Sequence, residues 1–141
     1  MSPELCAESF KRAKDFFSKW MPEKKHAAIA CHSWIFSPNL TEILPESSNL
    51  VKLQKMVNLF PVHSAHDGGL WFIFLQRPFN LATAPRETSL QKAVIAYLEK
   101  GGRFRAGGMF VLLSDFLTRS FNCSGDVEKG VVAKKDYRRE I

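Results

Sequence analysis

Apolar residues near the amino terminus recur at intervals of three and four, which predicts an amphipathic helix. Ser2 suits the N-cap of this helix, Pro3 suits its first position, and Pro22 ends it. We expect the apolar face to pack against the core. Its members are Leu5, Cys6, Phe10, Ala13, Phe16, Phe17 and Trp20.

A second long helix has clear boundaries in the sequence. Thr88 and Gln91 fit a capping box, in which each side chain satisfies an unpaired backbone N–H at the helix start. Gly101 and Gly102 follow, and glycine readily takes the left-handed conformation that ends a helix. A short helix is predicted to begin after Ser37-Pro38 and to end at Pro45. Another is predicted over residues 47–53.

Four apolar segments predict strands. Residues 26–36 are apolar on both faces and residues 70–77 contain an unbroken apolar run, so both are expected inside the sheet. Residues 56–63 are expected at an edge, because Pro61 cannot donate a ladder hydrogen bond, and the turn that follows suggests a hairpin with residues 70–77. Residues 103–113 predict one strand or two short ones turning at Gly107-Gly108.

These elements predict an α/β (α+β) domain: a mixed sheet of four or five strands with two longer helices packed against it. The domain is expected to span residues 1–113. Residues 114–141 are expected to form a short helix and then a loose charged tail.

Composition supports one ordinary globular core, since the 141 residues are 45% hydrophobic and 24% charged. The net charge of +6 suits an anionic ligand or a merely solvated surface. No basic stripe interleaved with aromatic residues indicates nucleic-acid binding. The three cysteines are widely spaced, which argues against disulfides and cysteine-rich zinc sites. No signal peptide or membrane span is predicted, so the expected location is the cytoplasm.

Cys31 and His32 resemble a nucleophile and its base, but neighbours on a strand point to opposite faces and cannot form a dyad. Cys31 is expected to be a small core residue. His32 is either a hydrogen-bonded core histidine or a general base in a pocket. His63, His66 and Asp67 fall on a predicted turn, where nothing fixes their directions, so no metal site is expected.

The segment Gly101–Gly108 is a candidate anion site. Glycine lets backbone amides approach a phosphate, and Arg103 and Arg105 can pair with its charge. A helix precedes the segment, whereas phosphate loops normally precede a helix, at its positive end. Gly107 and Gly108 would open a helix only if residues 109–121 were helical. The alternative is that these glycines serve turns and helix ends.

The chain resembles the GNAT-like C-terminal domain of bacterial two-domain acyltransferases over residues 5–113. The similar segments are Cys31-His32-Ser33-Trp34, Leu44-Pro45 with Ser48-Asn49, and Glu87-Thr88-Ser89-Leu90-Gln91 leading to Gly101-Gly102. The resemblance implies acyl coenzyme A as co-substrate and an N-terminal acyltransferase domain, in the same or a separate chain. The coenzyme A phosphate turn of GNAT enzymes has its nearest match at Arg103–Gly108, where Ala106 replaces its first glycine.

The leading hypothesis is therefore transfer of an acyl group from acyl coenzyme A to a small-molecule acceptor. His32 and Glu87 are the candidate bases, and Arg103, Arg105, Gly107 and Gly108 the candidate coenzyme A contacts. If His32 is catalytic, it should face a cleft that Glu87 also approaches. The rival hypothesis is a non-catalytic module that recognises substrate or docks a partner domain. The 12 Phe and 3 Trp also predict an exposed apolar patch for a partner.

Overall fold

In the computed structural model, residues 2–64 and 68–114 are described. The tail expected beyond residue 114 lies outside them, as do His66 and Asp67. The described elements follow one another as α1 (Pro3–Trp20), β1 (Ala28–Ser33), a 3₁₀ turn (Trp34–Phe36), α2 (Leu40–Ile43), α3 (Asn49–Lys55), β2 (Asn58–Pro61), α4 (Leu70–Phe74), α5 (Ser89–Glu99) and β3 (Gly107–Leu112).

The predicted ends of the two long helices are confirmed. Ser2 Oγ accepts a hydrogen bond from the Leu5 N–H, which caps α1. At α5, Thr88 Oγ1 accepts from the Gln91 N–H at 3.1 Å, while Gln91 Oε1 accepts from the Thr88 N–H at 3.0 Å.

The carboxyl end of α5 is closed by its two glycines. The N–H of Gly101 donates to the Leu98 carbonyl and that of Gly102 to the Tyr97 carbonyl, the pattern of a Schellman motif. Gly101 has a φ of 81°, in the left-handed region that glycine takes without strain.

Three antiparallel strands form the sheet in the described part of the chain, in the order β1-β3-β2. This is fewer than the four or five strands expected, and neither pair is parallel. Gly108 of β3 lies opposite His32 of β1 and Phe60 of β2, so these residues form one row across the sheet. Pro61 lies in an edge strand, as predicted.

The prediction that residues 26–36 form an internal strand was wrong. β1 lies at an edge of the sheet, and Ala28, Ala30, Cys31 and His32 are exposed. These side chains are small or polar, so little apolar area demands burial, and an uncharged strand is not by itself a buried one.

The prediction of a strand and hairpin at residues 70–77 was also wrong, because Leu70–Phe74 is the helix α4. Leu70, Ile73 and Phe74 are buried at i, i+3 and i+4, while Trp71 and Phe72 are exposed. A short apolar run fits both a buried strand and a buried helical turn. Here only the residues on one side of the helix are buried.

Two apolar clusters hold the described residues together. One lies among α2, α4 and α5 and includes Leu40, Ile73, Val94, Ile95 and Phe104. The other joins α1 and α3 to one face of the sheet through Cys6, Phe10, Leu53, Met109 and Val111.

Of the two long helices, α1 contributes to the sheet's cluster, whereas α5 packs mainly on α2 and α4. The expected core packing of the α1 aromatic face was partly wrong, since Phe16 is 53% and Trp20 63% exposed. No helix in the described ranges is long and apolar enough to span a bilayer.

Candidate functional site

One face of the sheet is open among the described residues. α1 and α3 cover the face that carries Met109 and Val111. Alternation places the side chains of Ala30, His32 and Phe60 on the opposite face, and all three are exposed. The exposed face is therefore where the sheet can meet a ligand or another domain.

His32 lines a depression of about 420 Å³ on this face, together with Ala30, Cys31, Phe60, Val62 and His63. Gly108 lies between His32 and Phe60 and has no side chain. A Cβ there would lie 2.5 Å from the Phe60 ring and 2.8 Å from Val62 Cγ1, so both side chains lean over the glycine. His32 is therefore exposed in a depression and is not the buried core histidine that was one of the two alternatives.

Cys31 is not the core residue that the strand pattern suggested, because it is exposed at the sheet edge. Its Sγ lies 3.6 Å from the His32 backbone oxygen, the geometry of a weak thiol hydrogen bond to the main chain.

His63 is a residue that sequence reasoning overlooked as a companion of His32. It was considered only as part of a turn, whereas it follows β2 and lines the same depression. The order of the strands places both histidines at one depression, since His32 lies in β1 and His63 follows β2, the two outer strands of the described sheet.

A second depression of about 330 Å³ shares Phe60 and Val62 with the first and is also lined by Arg105. The remaining lining is mostly apolar: Phe36, Pro38, Leu59, Pro61 and Ala106. A cation on the rim of an apolar hollow suits a ligand with both an anionic and an aliphatic part.

Side-chain hydrogen bonds fix the backbone beside Arg105. The Arg105 N–H donates to Asn39 Oδ1 at 3.2 Å, and Asn39 Nδ2 donates to Tyr97 Oη at 2.9 Å. The Ala106 N–H donates to Ser64 Oγ at 2.9 Å. Asn39 therefore ties α2, α5 and the segment before β3 together, while the Arg105 side chain stays exposed.

Gly107 and Gly108 lie inside β3, not in a loop that opens a helix. Both are buried, and a Cβ on Gly107 would lie 1.8 Å from the Phe36 carbonyl oxygen. Close packing explains both glycines without a phosphate. Arg103 is exposed but lines neither depression.

Glu87 is not brought together with His32, since it lines neither depression. It precedes α5, where its N–H donates to Gln91 Oε1 at 3.0 Å, and its side chain is exposed. In this arrangement Glu87 is a residue of the helix start.

Solved acyltransferases share this fold. An acyltransferase crystallised with CoA and 10C-teicoplanin is 30% identical, with a TM-score of 0.71, over 80% of this chain and 37% of that one. An acyltransferase with decanoyl-CoA and teicoplanin is also 30% identical, with a TM-score of 0.69, over 80% and 37%. An acyltransferase mutant with octanoyl-CoA is 30% identical, with a TM-score of 0.68, over 79% and 36%.

The chain spans little more than a third of the length of these solved structures. A search of curated proteins finds no match. The sequence model of the GNAT-like C-terminal domain family matches residues 1–110, which is most of the chain. The chain therefore belongs to that family.

Proposed function

We propose that this chain is the C-terminal part of an enzyme that transfers an acyl group from acyl coenzyme A to a small-molecule acceptor, such as an amine. The observation that carries the proposal is the 30% identity, at a TM-score of 0.71, to an acyltransferase bound to CoA. Because the match covers 37% of that protein, an N-terminal acyltransferase domain would supply the rest of the enzyme.

His32 is the proposed general base. Its imidazole would take a proton from the acceptor as the acceptor nitrogen attacks the thioester carbonyl. The C–S bond then breaks, and coenzyme A leaves as a thiolate that takes up a proton. The exposure of His32 in the first depression supports this role, whereas Glu87, which lines neither of the two depressions, is the weaker candidate.

Arg105 is the proposed contact for the coenzyme A phosphates, because its exposed side chain borders the apolar hollow. Arg103, two residues earlier, is the second candidate cation. The buried Gly107 and Gly108 are better explained as residues that allow close packing against Phe36, Phe60 and Val62.

The test is turnover by the chain joined to its N-terminal domain, measured as coenzyme A thiol released from decanoyl-CoA in the presence of acceptor. Losing a general base costs about 10²–10⁴ in rate, so His32→Ala should lose that much with little change in KM. His63→Ala, in the same depression, is the matched control and should stay within about tenfold of wild type. A loss confined to His63→Ala would move the base to that residue.

A non-catalytic docking or recognition module is the second candidate function. Its support is the exposure of large apolar side chains, among them Trp20, Phe72 and Leu75 at 63%, 59% and 74%. Near-normal turnover in both His32→Ala and Glu87→Gln would favour this function over a catalytic one.

A further inference from the structure

In the described part of the chain, β1 has no strand on its outer side. The alternation of hydrogen bonds along the β1–β3 ladder identifies which backbone groups of β1 point outward. Hydrogen-bonded and non-bonded pairs alternate along an antiparallel pair. The Leu113 N–H donates to the Ala27 carbonyl at 2.9 Å, which makes that pair a bonded one. By the register of β1 and β3, Ile29 and Cys31 then bond inward, while Ala28, Ala30 and His32 direct their N–H and C=O groups outward.

The opposite edge of the sheet is protected. Since β3 uses Met109 and Val111 toward β1, it bonds to β2 through Gly108 and Phe110, which face Phe60 and Asn58. Leu59 and Pro61 therefore point outward. Pro61 has no N–H to offer, and proline at this place is a device by which native sheets block pairing with another chain.

Among the described residues, no comparable feature blocks the outer edge of β1. Its sequence Ala-Ile-Ala-Cys-His-Ser contains no proline, lysine or carboxylate, and the outward residues Ala28, Ala30 and His32 are exposed. An unprotected edge of six residues in a sheet of three strands is a template for a further strand. The same sheet blocks one edge and leaves the other ready to pair.

We propose that β1 is the docking site for a β-strand of the N-terminal acyltransferase domain, which pairs with the outward groups of Ala28, Ala30 and His32 and extends the sheet. This rests on the proposed function for the identity of the partner. The occupant follows from length, because more than half of each solved relative lies outside the part that this chain matches.

The position of β1 also makes this edge relevant to the chemistry. His32 belongs to β1 and lines the depression on the open face, so a strand added here would bring the N-terminal domain to the rim of that depression. The exposed Phe60 and Leu112 lie on the same open face and would border the interface. Docking at β1 would thus enclose the His32 depression on its open side.

The test compares proline substitutions at outward positions on the two edges. Ala30→Pro removes an outward N–H and leaves the β1–β3 ladder intact, and Ala28→Pro does the same two residues earlier, at the neighbouring outward position. Leu59→Pro removes an outward N–H from the β2 edge and is the matched control. Circular dichroism and thermal melts of each variant show whether it folds.

Binding of the separately expressed N-terminal domain from the same organism is then measured by sedimentation, with hydrogen exchange on the wild-type complex. We expect the amides of Ala28, Ala30 and His32 to exchange at least about tenfold more slowly in the complex, and both β1 variants to bind at least about tenfold more weakly. Leu59→Pro should bind within about threefold of wild type.

Three results would overturn the proposal: a complex in which these amides stay fast, no complex at all, or a dimer of this chain alone that Ala30→Pro abolishes. The last would assign the edge to a second copy. An intact, edge-dependent complex that transfers no acyl group would contradict the proposed function and leave the docking site standing. The wild-type exchange data decide the matter even where a proline variant fails to fold.

Discussion

Gly107 and Gly108 are neighbours in β3, yet an added methyl group should affect stability very differently at the two positions. At Gly107 a Cβ would lie 1.8 Å from the Phe36 carbonyl oxygen and 2.6 Å from its carbon. Phe36 is the last residue of the 3₁₀ turn, which the bond from the Ser37 N–H to the Trp34 carbonyl closes, so its backbone cannot move alone. At Gly108 the obstacles are the Phe60 ring and the Val62 side chain.

Overpacking typically costs about 1–3 kcal/mol and more where the surroundings cannot yield. Gly107→Ala meets backbone and should lose at least about 3 kcal/mol of unfolding free energy. Phe60 is 38% exposed and can swing outward. The cost at Gly108 is further offset by the ~0.5–1 kcal/mol gained on replacing glycine in a strand, so Gly108→Ala should change stability by less than about 1 kcal/mol.

Urea unfolding followed by circular dichroism measures both values, and thermal melts check them. At about 4 °C per kcal/mol for a domain of this size, Tm should fall by more than about 10 °C in Gly107→Ala and by less than about 4 °C in Gly108→Ala. Equal losses, or an unaffected Gly107→Ala, would refute the close contact with Phe36. Stable variants of both that bind coenzyme A poorly would instead support a phosphate role for these glycines.

Three further variants test other parts of the fold by the same urea assay. Thr88→Ala should cost about 1 kcal/mol by removing the capping bond to Gln91, whereas Glu87→Gln should change stability by less than about 0.5 kcal/mol; equal costs would contradict the cap. Leu75, with a φ of 55°, is strained for a residue with a side chain, so Leu75→Gly should stabilise the protein by about 1 kcal/mol, and a loss would show that its side chain contributes packing. Phe10→Gln should cost at least about 2 kcal/mol because Phe10 packs on the sheet, while Phe16→Gln on the exposed side of α1 should stay within about 0.5 kcal/mol; a similar loss in both would contradict the exposure of Phe16.

Local rules of helix termination predicted the helix boundaries well. The cap at Thr88, the closing bonds of Gly101 and Gly102, and the Ser2 cap all join residues within five positions of one another. Such bonds depend on side chains that the sequence displays directly, so little long-range information is needed to predict them.

Long-range packing decided the elements that the sequence did not predict. The run Leu70–Phe74 became a helix because only one of its stripes finds a buried surface, against α5 and its neighbours. The edge position of β1 depends on its pairing with β3, which begins about 75 residues after β1 ends. Neither periodicity nor composition specifies strand order, so an uncharged strand was mistaken for an internal one.

The candidate site was predictable only in its parts. His32 and Arg105 stand out by residue type, but the sheet order and the gap at Gly108 place them on adjoining depressions. A glycine pair looks alike in sequence whether it admits a phosphate or a carbonyl such as that of Phe36. Nothing in the sequence around His63 indicates that it lies near His32, because the fold alone brings both residues to the same depression.

Acyl transfer by the two-domain protein can be followed with isotope-labelled decanoyl-CoA. The two-domain protein is incubated with the labelled thioester and a small-molecule extract of the organism that encodes this chain, and mass spectrometry follows the label. We expect the label to appear on an acceptor at a rate that falls about 10²–10⁴-fold in His32→Ala. Label that stays on coenzyme A, or is found only in free decanoic acid, would contradict it.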